Sequence, residues 1–296
     1  MELRRQRNRA VRHDLHVLFT LFPYAIVGGI LISAVCAILG VFVVLKRVVF
    51  IGIALSQVAA AGIAVAFMLH WPPIVGAGLL TFIAVTLLAG PYEFQRIPRD
   101  GVLGMVFVTA SALSILIVSK SGFGLEEIRA LLYGDLILTS RYDLITILVT
   151  VVPVAVLLLL FLRPILLTFV DREQARVLGI RAVFWELFFF YLLGIAISGA
   201  SRIGGAMLVF CYLTAPPMTG MLLSRRLWWV MIIAVIVAVV STLIGLYFSY
   251  RWDFPTNQSI TVVTAGFLII AAISRLIPKM FSRRANPYAK ERSSAE

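Results

Sequence analysis

A single amide stands in the middle of an apolar run. In FIGIALSQVAAAGIAVAFML, residues 50–69, no side chain is charged and Gln57 is the only strongly polar one, set among Ala, Gly and Ser. An amide there has two chemical uses: it bonds a neighbouring helix, or it offers a neutral oxygen to something passing through. Other groups able to touch a metal ion are Ser56, Met68, His70, Met207 and Cys211. They form no recognisable cluster, and all suit core packing or, for His70, an interfacial position. Glu186 is an acid near the start of an apolar run, where an interfacial carboxylate accounts for it. Glu126 and Glu127 precede LLYGDLIL, where they suit a solvated helix start or the basic residues of a docking protein. The sequence contains no GxxxxGK[ST], HExxH or CxxC pattern, so catalysis within this chain is not expected, no cofactor is implied and metal ligands stay unassigned.

The elements that must position these residues are membrane spans. Apolar residues make up 61% of the chain and charged ones 14%, with a mean hydropathy of +1.02, far from the averages of soluble domains. A bilayer core of about 30 Å takes about 20 apolar residues per helical crossing. Runs between charged or Pro-rich breaks give candidate spans near 22–45, 50–69, 73–90, 102–119, 143–162, 184–200, 203–214, 228–249 and 259–277. The expected fold is all-α, a polytopic transmembrane bundle of about eight or nine helices. The run 203–214 is too short to cross alone, so it reads as a half helix continuing from the previous span through the Gly199–Gly205 break. One transmembrane domain fills residues 1–296, with a basic N-terminal arm at 1–16 and a cytoplasmic tail from about 279 to 296. The arm does not read as a signal peptide, because the apolar run after it is too long for an h-region. Cys36 and Cys211 fall inside apolar runs and give no disulfide framework.

The net charge of +12 is a topology signal, not a nucleic-acid footprint, because Lys and Arg sit in short loops between spans. Placing Lys46/Arg47, Arg96/Arg99, Arg163/Arg172/Arg176/Arg181, Arg225/Arg226 and Lys279/Arg283/Arg284 on the cytoplasmic side gives one consistent alternation. The arm residues Arg4, Arg5, Arg7 and Arg9 lie outside with nine crossings and inside with eight. The expected location is the cell membrane, multi-pass, with the lipid bilayer as solvent and no nucleic-acid partner.

Small residues from Gly52 to Ala64 make the 50–69 helix thin enough for close packing, as along a two-fold seam. The surrounding VFVVLKRVVFIGIALSQVAAAGIAVAF resembles a region of the permease subunits of zinc/manganese-type ABC importers, whose pattern is close to FxGDALSHAALPGIALAF. Residues 131–144 (LLYGDLILTSRYDL), 171–180 (DREQARVLGI), 201–226 (SRIGGAMLVFCYLTAPPMTGMLLSRR) and 250–259 (YRWDFPTNQS) resemble further elements of that family, in the family's order. The resemblance implies a homodimeric permease that pairs with cytoplasmic ATP-binding cassette subunits and receives substrate from an extracytoplasmic solute-binding protein. It implies a divalent metal ion (zinc, manganese or iron) or its chelate as substrate. It also implies that ATP-driven motion reaches the gate through Ala215, Pro216, Pro217, Met218, Met221, Arg225 and Arg226. There the proline pair is expected to stop one helix and the arginines to mark the cytoplasmic face.

The family's acid and imidazole, four residues apart on one helical face, fall here on Ile53 and Gln57. Ile53 offers no ligand and Gln57 only a weak neutral oxygen. The expected translocation pathway is therefore Ile53, Ser56 and Gln57 without the family's metal clamp. Two alternatives stand beside it: an ABC permease for a non-metal substrate, and a self-contained secondary transporter. Scarcity of intramembrane acids argues against the second.

Overall fold

The computed structural model describes residues 21–88, 99–120, 134 and 136–284. The basic arm 1–16, Glu126, Glu127 and the residues beyond Arg284 lie outside the described residues. Helices dominate: α1 (Pro23–Leu45), α2 (Val49–Met68), α3 (Pro73–Leu88), α4 (Arg99–Lys120), α5 (Arg141–Leu160), α6 (Leu162–Val170), α7 (Arg172–Val177), α8 (Ala182–Leu223), α9 (Leu227–Trp252) and α10 (Thr256–Arg284), with a short 3-10 turn at Leu136–Leu138. Seven of them hold segments long and apolar enough to cross a membrane, and α3 is a shorter apolar helix. Local chemistry sets several boundaries. Proline opens α1, where its missing N–H costs nothing. Ser140 and Asp143 form a capping box at α5, and Asp171 caps α7 by accepting from the N–H groups of Glu173 and Gln174. Asp253 ends α9 in a left-handed conformation.

Contacts fix which helix ends lie level. Phe22 meets Tyr250 with ring centroids 6.5 Å apart, and Leu136 and Thr242 close on Gly29, so the start of α1 lies beside the end of α9. At the opposite end Lys46 pairs with Glu186, and Phe161 packs on Trp185. Lys46, Arg47, Arg163, Arg176, Arg181, Arg225, Arg226 and Arg275 gather at this second end, against Arg141, Arg202 and Arg251 at the first. The charge rule makes the second end cytoplasmic.

Helix α8 runs 42 residues and is non-helical only at Gly205, with φ 67° and ψ 164°. A straight helix of that length would span about 63 Å, twice a hydrocarbon core. Instead it folds back. Trp185 lies level with Phe161 at the cytoplasmic end, whereas Arg202 pairs with Asp143 at the outer start of α5. Beyond the break, Leu213 packs on Gly40 and Gly52, and Gly220 on Val230 near the start of α9. The arms 182–204 and 206–223 are therefore antiparallel, which makes eight long apolar segments among the described residues beside the shorter α3. This corrects the half-helix expectation for 203–214: the residues after Gly205 return to the cytoplasmic end instead of continuing the previous span.

A second expectation also fails: Pro216 and Pro217 do not stop a helix, because α8 continues to Leu223. Pro217 lacks the N–H that would bond the Leu213 carbonyl. That carbonyl lies against Gly40, where a side chain would collide with it, so neighbouring backbone of α1 covers the gap. Helix α2 is central, with α3, α4 and α8 packed around it. At the closest approach, Gly62 and Gly76 leave no room for side chains between α2 and α3. Most of α2 is thereby enclosed by its own chain, while Phe50 at its start and Met68 at its end are exposed.

Candidate functional site

Positions 50, 53 and 57 share one flank of α2. Along it Phe50 is 53% exposed, Ile53 is half-buried and Gln57 is 6% exposed. The flank thus leads from the open cytoplasmic end toward a sealed amide. Gln57 Oε1 is buried and has no hydrogen-bond partner among the described residues. An acceptor left so is costly, which sets Gln57 apart from a helix-bonding amide. Ser56 is different: its hydroxyl donates to the Gly52 carbonyl at 2.8 Å and is spent within its own helix.

The returning arm of α8 lies alongside. Leu213 and Phe210 approach Gly52, and Tyr212 exchanges a hydroxyl hydrogen bond with Thr242 of α9. Met207 is 57% exposed and Cys211 is 7% exposed. Met68 and His70 sit at the exposed outer end of α2, away from this arm. Among the described residues no three His, Cys, Asp or Glu side chains come together as a metal site. Glu186 lies in the first turns of α8, with its carboxylate 2.9 Å from Lys46 Nζ.

At the cytoplasmic end, Ala215, Pro216 and Pro217 are buried, Met218 and Met221 half-buried, and Arg225 and Arg226 exposed. Leu222 and Leu223 are exposed as well, and Arg275 Nη2 donates to the Leu223 carbonyl at 2.6 Å. A second surface lies beside this one in chain order. Arg176, Gly179, Ile180, Arg181, Phe184 and Leu187 line a shallow groove, and Val177 beside it is 88% exposed. The spacing of Asp171, Ala175 and Gly179 was visible in the sequence, but only the protruding α6–α7 pair gives it a surface.

The outer end holds a cluster that sequence reasoning missed. Arg202 Nη2 lies 3.1 Å from Asp143 Oδ1, and the guanidinium sits 5.4 Å from the centre of the Tyr142 ring. Asp143 Oδ2 accepts from the Ser140 backbone N–H at 3.1 Å and from its hydroxyl at 2.6 Å. Asn257 Nδ2 donates to the Gly204 carbonyl at 3.0 Å. Gly134, at φ 57°, packs so tightly that a Cβ there would lie 2.5 Å from both Ile203 O and Gly205 N. The only signal in the sequence was an acid and an arginine at the edges of two distant apolar runs.

An apolar bundle of this length, with seven helices able to cross a bilayer, defines a multi-pass protein of the cell membrane. Residues 19–275 match the ABC 3 transport family, and the chain belongs to that family as a membrane permease. It is 28% identical over 262 residues to the manganese transport system membrane protein MntC of Halalkalibacterium halodurans, covering 87% of this chain and 88% of that one. It is 29% identical over 242 residues to the chelated iron transport system membrane protein YfeC of Yersinia pestis, covering 80% and 81%. Its fold matches the solved structure of PsaBC from Streptococcus pneumoniae in complex with Fab, with a TM-score of 0.80 at 20% identity over 88% of this chain and 95% of that one.

Proposed function

We propose that this permease is the membrane subunit of an ATP-driven importer for a divalent transition-metal ion or its chelate, and that the ion passes the Phe50–Ile53–Gln57 flank of α2. The supporting observation is Gln57 Oε1, a buried acceptor left open on the flank that faces out of the bundle at its cytoplasmic end. A neutral oxygen there binds a cation weakly, which suits passage more than storage. The manganese and chelated-iron relatives support the metal class. A second copy of the chain completes the pathway from outside this flank, and a solute-binding protein delivers substrate at the outer end.

Separate ATPase subunits dock at the cytoplasmic end, on Leu222, Leu223, Arg225 and Arg226 and on the groove beside α7. Met218 and Met221 carry the motion inward from there. The test is the complex reconstituted with its ATPase and binding protein, assayed for uptake and ATP hydrolysis with manganese, iron, zinc and chelated iron. Stimulation by at least one of these is expected. Failure of all four to stimulate, with hydrolysis responding to a non-metal solute, would overturn the metal assignment. Native mass spectrometry of the same complex should show two copies each of permease and ATPase.

A further inference from the structure

We infer that Asp143 and Arg202 form an outer latch that holds the root of the α8 hairpin, so that the returning arm swings about Gly205 and opens its flank to the outside only when the pair parts. Three separate elements converge on residues 202–205. Helix α5 holds Arg202 through Asp143, Gly134 packs on the backbone of Ile203 and Gly205, and α10 holds the Gly204 carbonyl through Asn257. The last of these residues is Gly205, whose φ of 67° and ψ of 164° suit glycine almost alone. The first arm is tied at its far end by Lys46 and Glu186, so motion at this hinge falls to the returning arm.

The latch is also built to part. Asp143 spends its Oδ2 on Ser140, so Arg202 holds one carboxylate oxygen and not the two that a forked pair would grip. Arg202 Nη1 is buried without a partner among the described residues, and an unmade bond of a charged donor lowers the net worth of the closed state. The side chains are 23% and 20% exposed, so water reaches the pair and can replace it when the arm moves. Asp143 and Arg202 are positioning residues in this scheme; neither touches substrate.

The two cysteines supply the test. Cys211 lies six residues beyond the hinge and is 7% exposed, while Cys36 in α1 is fully buried. The full-length permease in membrane vesicles of known orientation is treated from the outer side with a membrane-impermeant maleimide, and each cysteine is read by peptide mass spectrometry. Asp143→Asn and Arg202→Gln should each raise the Cys211 labelling rate about tenfold while Cys36 stays unlabelled, and Arg202→Lys, which keeps the charge, should stay near wild type. Unchanged Cys211 labelling in both neutral variants would overturn the latch. Labelling of Cys36 together with Cys211 would overturn it too, by revealing a merely structural pair. The inference rests on the transport reading, but no uptake is measured here, so a wrong substrate assignment leaves the labelling result standing.

Discussion

The two arms of α8 have similar length and apolar character but are held in opposite ways. Arm 182–204 is tied at both ends by ion pairs, to Lys46 at 2.9 Å and to Asp143 at 3.1 Å. Along its first turns Trp185 and Phe188 pack on Phe161, and Phe189 packs on Phe42 and Phe169. Arm 206–223 has no ion pair among the described residues. It is held by close backbone approach at Gly40 and Gly220, by the Tyr212–Thr242 hydrogen bond and by Arg275 at its last carbonyl. Directional ties keep one arm in register. The other rests on small-residue contacts that tolerate sliding, and it carries two prolines that leave backbone carbonyls without helical partners. The difference separates a fixed reference from an element suited to move.

The comparison breaks most completely at the residue that joins the arms. Gly205→Val places a β-branched side chain at a backbone conformation that costs of the order of 1–3 kcal/mol for ordinary residues, with Gly134 packed against its N–H. The expected outcome is loss of uptake together with a lower unfolding temperature of the purified permease. A variant with wild-type uptake would show that the hairpin does not depend on this break.

A charge-neutralising change at the other end of the fixed arm should do less. Glu186→Gln leaves the half-buried Lys46 without its carboxylate, although Lys46 keeps the Phe169 ring 5.1 Å away. The expected loss is about 1 kcal/mol, reduced by partial exposure of the pair. Thermal melting should record it, while outer-side labelling of Cys211 stays at the wild-type rate. If Glu186→Gln exposes Cys211 as Asp143→Asn is expected to, the arms are not mechanically distinct.

Much of this arrangement was legible in the sequence, and its gaps share one cause. The apolar runs and the shared flank of Ile53 and Gln57 follow from local composition and helical period. A break near Gly199–Gly205 was visible as well. Reversal at Gly205 was not, because composition gives the weak point and only contacts 20 or more residues away give the direction. Pro216 and Pro217 were read as a helix end by the ordinary rule for proline. The rule yields here to Gly40, more than 170 residues earlier, whose bare Cα covers the freed Leu213 carbonyl. Asp143 and Arg202 lie 59 positions apart, beyond any periodic signal.

The smallest expected effect on stability falls on Gln57, and its sign sharpens the comparison. Helix α2 packs against α8, with Gly52 touching Phe210 and Leu213 of the returning arm, so Gln57 stands on the element against which that arm would slide. Had the amide bonded a neighbouring helix, Gln57→Leu would remove an interaction worth about 0.6 to 2 kcal/mol and lower the melting temperature. Its Oε1 has no partner among the described residues, so leucine removes an unmet acceptor and keeps similar bulk. Melting should therefore be unchanged or slightly higher. Uptake should fall, because the one polar side chain on the flank is gone. Restoring an acid and an imidazole with Ile53→Asp and Gln57→His should strengthen binding of a transition metal, measured by calorimetry on the purified permease, since both side chains share one face four residues apart. A destabilised Gln57→Leu that transports normally would return the amide to packing. The pathway would then be sought along the exposed side of the returning arm near Met207.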